Sequence, residues 1–249
     1  EDAGYFGYVV HDDNGMPTDI LRHESGQNFN RGLDGLSPLH SGMCTQDQTT
    51  TMVENLMDEN HHWTSCGLST VDRSAAYYRQ DGYWNGAVWM PHQWFFWKSL
   101  IGLGYMDEAY AIAERALDVW KREVDASYNC FEHFIVETGR GAGWHQFGGL
   151  SAPVLNWFTA YHQPGQITFG WDVWPNAIRV ADDQTSLQAE LTMSPTSDRP
   201  TGIIVSLAAG KTYHATWQDM PLTYNERLPG TLELCLPAEA GTGILAIRS

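Results

Sequence analysis

Basic charge is scarce in this chain: 14 Lys and Arg stand against 30 Asp and Glu among 249 residues, a formal net charge of -16 at pH 7. That balance repels phosphate backbones and anionic membrane surfaces, and no basic cluster interrupts it, so nucleic-acid binding is excluded as a function class. Long apolar runs are missing too. None approaches the roughly 18 residues of a membrane span, so the sequence reads as a soluble globular protein without a membrane partner. Cysteine is sparse: Cys44, Cys66, Cys130 and Cys235 lie far apart with no CxxC spacing, which rules out a zinc ribbon and a dense disulfide scaffold. One or two disulfides fit the count, although four buried or half-buried thiols is the plainer reading. The GxSxG elbow, the P-loop and HExxH are all absent, and the ten histidines show no metal-ligand spacing beyond adjacent His61 and His62. The chain starts at Glu1 with neither an initiator Met nor a signal-peptide pattern, so its start reads as that of a processed piece and its compartment is undetermined.

Aromatic residues, by contrast, are plentiful: 11 Trp, 11 Tyr and 9 Phe, with charged residues at only 18%. Flat apolar rings stack on the C–H faces of sugars, so a neutral carbohydrate is the ligand class this composition suits best.

The chain changes character near residue 163. Before it, apolar spacing predicts helices over about 46–59 with Thr45 as cap, 91–103, 106–123 and 150–161. The clearest has Ala109, Ile112, Ala113, Ala116, Leu117 and Trp120 on one face. The 91–103 segment is apolar nearly all round and is predicted to be buried. Loops of about 30 and 25 residues separate these helices, and loops of that length tend to carry function. Tyr5 to Val10 with the turn Asp12, Asp13, Asn14, Gly15 predicts a hairpin. A calcium loop is the alternative for these acids, though the EF-hand spacing is absent. After residue 163, seven short β-favouring runs, 166–174, 178–180, 187–193, 202–207, 213–217, 230–236 and 243–247, predict an antiparallel sandwich.

Motifs then become specific. Tyr83-Trp84-Asn85-Gly86-Ala87-Val88-Trp89 resembles the Y-W-R-G-P-V-W signature of glycoside hydrolase family 63 and related (α/α)6-barrel enzymes, which include α-glucosidases and mannosylglycerate or glucosylglycerate hydrolases. Asp34-Gly35-Leu36-Ser37-Pro38-Leu39 resembles its D-G-L-x-P-L, and Trp63-Thr64 with Gly67-Leu68-Ser69-Thr70-Val71 its F-W-T…G-L-P-T-V. Cys130-Phe131-Glu132-His133-Phe134 with Thr138-Gly139 resembles the segment carrying the catalytic base. The motifs keep the family's order from about residue 1 to 162. Asn85 replaces the family's Arg and Ala87 its Pro; with Gln93-Trp94, the loop is also similar to the N-G-W-A-P-x-Q-W of family 37 trehalases.

The resemblance implies a mainly α fold: an (α/α)6 toroid, incomplete in this chain, over residues 1–163, followed by a small antiparallel β-sandwich over 164–249. It implies a glycoside hydrolase cleaving an α-linked glucoside or mannoside with inversion, without a cofactor. A noncatalytic carbohydrate-binding protein and a trehalase-like enzyme are the alternatives. Inversion needs two carboxyls, one to protonate the leaving oxygen and one to activate water. The resemblance makes Glu132 the base, and its place among Phe131, His133 and Phe134 predicts partial desolvation and a raised pKa. Tyr83, Trp84, Asn85 and Trp89 are the expected sugar contacts, with His133 beside the base and Trp144, His145 and Gln146 in the Gly-rich stretch after it. The family's acid precedes its D-G-L-x-P-L segment by more chain than lies before Asp34. Asp34, Asp72 and Asp81 sit in the right loops but not at that position, so the acid is expected on an upstream segment or second chain that completes the barrel.

Overall fold

The computed structural model describes residues 2–194, 198–239 and 241–249. Helix and strand occur in near-equal shares, about 30% and about 33%, so the chain as a whole is mixed helix and antiparallel sheet rather than mainly helical. It divides into two compact units, one of Glu1–Phe95 with Glu114–Pro153 and one of Phe96–Ala113 with Val154–Ser249. Among the described residues no helix is long and apolar enough to cross a membrane.

The hairpin predicted near the start is present: β1 (Val9–His11) pairs antiparallel with β2 (Pro17–Ile20). Asp12 closes its turn, with Oδ1 accepting from the N–H groups of Met16 and Asn14 at 2.9 Å each, and these two bonds hold its carboxyl below the usual range. Among the described residues no group of three or more His, Cys, Asp or Glu is placed to hold a metal. Next come the single turn α1 (Leu33–Leu36) and α2 (Gln46–Met57). Thr45 starts α2 with a capping box: its Oγ1 accepts from Gln48 N–H, and Gln48 Oε1 accepts from Thr45 N–H. The long segment that follows is not bare loop, for it carries β3 (Trp63–Thr64), β4 (Gly67–Leu68) and a 3-10 turn at Tyr83–Asn85.

Helix α3 (Met90–Gly102) buries Phe96, Trp97, Leu100 and Ile101 but leaves Phe95 exposed, so its apolar girdle is not fully covered. Helix α4 (Met106–Ser127) runs past the predicted Glu123. Glu123 is itself buried and takes Arg140 and the N–H of Gly141 on its carboxylate, while Ser127 Oγ donates to its carbonyl. The second long segment folds into a hairpin, β5 (Phe131–Phe134) with β6 (Gly141–His145). The helix predicted over 150–161 is two pieces, α5 (Gly148–Ser151) and α6 (Pro153–His162). Pro153 has no N–H to continue the preceding turn, yet its fixed φ suits the first position of a new helix.

The strands of the second unit are β7 (Gln166–Phe169), β8 (Val173–Val180), β9 (Ser186–Met193), β10 (Thr201–Ser206), β11 (His214–Trp217), β12 (Met220–Leu222), β13 (Tyr224–Leu228), β14 (Thr231–Leu236) and β15 (Gly241–Arg248). They form two antiparallel sheets, ordered β13-β14-β10-β7 and β12-β11-β15-β9-β8. Alternate side chains from both sheets, among them Leu187, Leu191, Ile203, Leu234, Leu245 and Ile247, share one buried core. Each contributes roughly 1.5–3 kcal/mol by leaving water. All four cysteines are free thiols; Cys66 is buried, but Cys235 is exposed, because it takes the outward position of its strand.

Candidate active site

The site is built on the β5–β6 hairpin. Phe131 pairs with His145 and His133 with Ala142, so the one residue Glu132 faces the two residues Gly143 and Trp144. Two residues opposite one is a β-bulge, and Gly143 at φ +76° supplies the left-handed first position that one bulge type requires. A side chain there would be strained by the backbone and would displace the carboxylate: a Cβ at 143 would lie 2.5 Å from Glu132 Oε2 and 2.8 Å from the His133 ring. The bulge frees the N–H of Trp144 from the ladder, and it donates to Glu132 Oε2 at 3.1 Å.

The other carboxylate oxygen is held from the Trp loop. Val88 exchanges both backbone hydrogen bonds with Phe134, at 2.9 and 2.8 Å, which fixes that loop against the strand bearing Glu132. Gly86 lets the loop turn back on Arg79, whose carbonyl oxygen would be 1.9 Å from a Cβ at that position. Tyr83 itself sits at φ +41°, a left-handed conformation that costs a non-glycine residue of order 1 kcal/mol. The result is that its hydroxyl donates to Glu132 Oε1 at 2.5 Å, while its carbonyl accepts from Trp89 Nε1 at 3.1 Å.

These two donors reverse the electrostatic expectation. The Tyr83 hydroxyl first, and the Trp144 N–H second, hold the Glu132 carboxyl below its usual range, outweighing the desolvation that would raise it. Glu132 is thus kept ionised, as a proton acceptor must be. The same bond pushes the Tyr83 hydroxyl up. Replacing Tyr83 by Phe removes the stronger donor, so the carboxyl pKa rises. A carboxylate can serve as a base only in its ionised form, so for a reaction that uses Glu132 in that way the acid limb of the kcat/KM profile is expected to move to higher pH; a profile with an unmoved limb would uncouple Tyr83 from Glu132.

Around the carboxylate the aromatic residues form a layered stack. Trp84 lies 3.8 Å from Trp89 at 7° between planes, and His133 stacks on Trp89 at 5.1 Å. Trp89 and His133 are buried, and burial lowers the His133 pKa, whereas Trp84 is 51% exposed. Trp84 is therefore the ring of the stack that is open to solvent, and Trp89 is its support. Trp144 is 69% exposed and stacks with exposed His145 at 6.0 Å. Asn85 and Gln146 are also exposed, but neither hydrogen-bonds to the Glu132 carboxylate: the Asn85 carbonyl accepts from the Arg79 N–H, and Gln146 occupies φ +58° in the turn beyond β6. Trp84 also borders a groove of about 270 Å3 lined by Tyr8, Phe29, Asp34, Tyr77 and His92. Neither the bulge role of Gly143 nor His92 is singled out by sequence reasoning; the signals are the Gly141-Ala142-Gly143 spacing and the position of His92 in the first turn of the helix after the Trp loop. Truncating Trp84 to Ala is expected to raise KM by about tenfold with little change in kcat or melting temperature; an unfolded product would make it a core residue instead.

The three acids of the neighbouring loops differ. Asp34 is exposed and accepts from Tyr8 at 3.2 Å, and Asp81 is exposed. Asp72 is sealed from solvent by Arg31, His61 and Tyr5, which leaves it no route to a glycosidic oxygen.

Residues 8–148 match the family model of the mannosylglycerate hydrolase MGH1-like glycoside hydrolase domain. The chain is 29% identical over 93 residues to a mannosylglycerate hydrolase of Rubrobacter radiotolerans, covering 37% of this chain and 20% of that protein. Similar solved chains include an uncharacterized conserved protein from Thermus thermophilus, at 22% identity, TM-score 0.49, covering 62% of this chain and 36% of that one. Another is the GH63 mannosylglycerate hydrolase of the same organism in complex with glucose, at 22% identity and TM-score 0.48, covering 63% of this chain and 35% of that one. The chain thus spans about a fifth of the curated relative and about a third of the solved ones.

Proposed function

Given that this chain belongs to the MGH1-like glycoside hydrolase family, we propose that it carries the general-base half of an inverting α-glycosidase acting on a glucoside or mannoside, with mannosylglycerate, the substrate named for its relatives, as the leading candidate. The observation that carries this reading is the Glu132 carboxylate, kept ionised by Tyr83 and the Trp144 N–H beside the exposed ring of Trp84. A carboxylate so held takes a proton from a water attacking the anomeric carbon. A second carboxyl across the sugar, roughly 6.5–9.5 Å away, protonates the departing oxygen. Asp72 is sealed, so in this reading the acid lies on another segment or a partner chain that completes an (α/α)6 barrel of which residues 1–163 form the C-terminal part. Residues 164–249 are read as a β-sandwich domain. No cofactor enters this chemistry, and calcium at the Asp12 turn is open to metal analysis of chelator-treated protein.

Proton NMR of the freshly released anomer tests the reading, with α-mannosylglycerate, α-glucosylglycerate and trehalose as substrates. The expected result is the β-anomer first, from one of the two glycerates. An α-anomer first would overturn inversion, and turnover of trehalose alone would favour the trehalase-like reading. Binding of these glycosides without turnover, by protein that includes the completing segment, would leave a carbohydrate-binding protein.

A further inference from the structure

The outer face of the five-stranded sheet in the second unit holds a trough of about 620 Å3 along its central strand, β15. Its floor is Ala246, the one small side chain between Ile244 and Arg248 on the outward positions of that strand. Ala246 is flanked in register by Thr216 on β11 and Gln188 on β9, which form the walls. Arg248 and His214 stand side by side at one end, and the β11–β12 turn, Gln218 and Asp219, forms the other.

The two sides of this face differ in their hydrogen bonding. Towards β8 the polar side chains satisfy one another: Asn176 Nδ2 donates to Thr192 Oγ1 at 2.9 Å, and the Thr192 and Thr242 hydroxyls are 2.9 Å apart. Within the trough, the side chains of Gln188, His214, Thr216, Asp219 and Arg248 have no hydrogen-bond partner among the described residues. The rim is also strained. Gln218 and Asp219 occupy φ +48° and +66°, where a two-residue hairpin turn prefers Asn-Gly, and such strain gathers at functional positions.

We propose that this trough is a binding site for an extended neutral oligosaccharide. A sugar hydroxyl both donates and accepts, so it can use the Gln188 amide, the Thr216 hydroxyl, the Asp219 carboxylate and the Arg248 guanidinium alike. An anion could accept from Arg248, His214, the Gln188 amide and the Thr216 hydroxyl, but it would have no use for the acceptor Asp219 and would be repelled by it and by the net charge of -16. Ile244 and Ala246 offer the apolar patch that the C–H face of a pyranose needs. From Thr242 to Arg248 the strand spans about 20 Å at roughly 3.3 Å per residue, room for about three or four rings. The volume lies within the usual range of ligand sites.

The test is an amide chemical-shift titration of the full chain with maltotetraose and, separately, α-linked mannotetraose. Shifts at Thr216, Gln188 and Ala246 that saturate with a millimolar Kd are expected for at least one probe. Ala246→Trp fills the trough, and the paired change Gln188→Ala with Thr216→Ala strips its exposed walls at little risk to the fold. Each is expected to weaken binding by about tenfold or more. Trp84→Ala is expected to leave these shifts unchanged, which separates this site from the proposed active site. No shifts at those residues up to about 10 mM of either probe, or wild-type binding by both trough variants, would overturn the proposal.

Discussion

Replacing Glu132 with Gln is expected to lower kcat on the glycoside by about three orders of magnitude, with KM and thermal stability close to wild type. Gln keeps the shape and one acceptor oxygen, so the Tyr83 hydroxyl or the Trp144 N–H retains a partner and the bulge has no reason to open. What disappears is the ability to accept a proton while water attacks. In the proposed role the loss belongs in kcat, because a general base meets the water and not the ground-state sugar. Steady-state kinetics beside a circular-dichroism melt checks this. Near-wild-type turnover would remove Glu132 from the reaction, whereas joint loss of turnover and cooperative melting would make it a structural carboxylate. Tyr83→Phe bounds the same claim from the other side, since it keeps the base and alters only its pKa.

Much of this site is legible in the sequence, but its electrostatics are not. The order of motifs brings Glu132, Tyr83, Trp84, Trp89, His133 and Trp144 to one place, because the Trp loop and the β5 strand are tied at Val88 and Phe134. Apolar neighbours alone predict a raised carboxyl pKa. The lowering comes from a hydroxyl 49 residues away and from an N–H freed by a bulge, and neither follows from local composition. The same boundary runs through the fold. Helix α2 is legible because Thr45 and Gln48 cap it locally. Strands β12 and β13 are not, since the hairpin turn at Gln218-Asp219 holds two non-glycine residues in left-handed conformations and Tyr224–Leu228 lacks a buried alternating face. The 150–161 helix splits because the stop lies in one residue, Pro153, inside an otherwise continuous apolar period.

The largest loss of stability is expected from Asp72→Ala. Burial pushes the Asp72 carboxyl up, but bonds from Arg31, from the Ser74 N–H and from Tyr5 outweigh it and hold the carboxyl well below the carboxylate range. Arg31 Nη2 lies 2.6 Å away, the Tyr5 hydroxyl 2.8 Å and the Ser74 N–H 2.7 Å. Truncation strands the half-buried Arg31 charge and a fully buried Tyr5 hydroxyl, which costs about 3–5 kcal/mol and lowers Tm by about 10 °C. Adding Arg31→Met removes the stranded charge, so the pair is expected to lose less than the sum of the two single changes. The pH dependence has a definite sign. A carboxyl whose pKa is depressed on folding stabilises above its unfolded value of about 3.9, and that contribution is lost as pH falls towards the folded value. The Tm gap between wild type and Asp72→Ala is therefore expected to be flat near neutrality and to narrow below about pH 4. A gap unchanged down to about pH 2 would mean that packing, not charge, holds this residue. The loss reaches the site through the backbone. Asp72 N–H donates to Arg31, Leu33 N–H to Thr70, and Thr70 N–H to Ala87 in the Trp loop, so the ion pair anchors the layer on which Trp84 and the Asp34 groove are built.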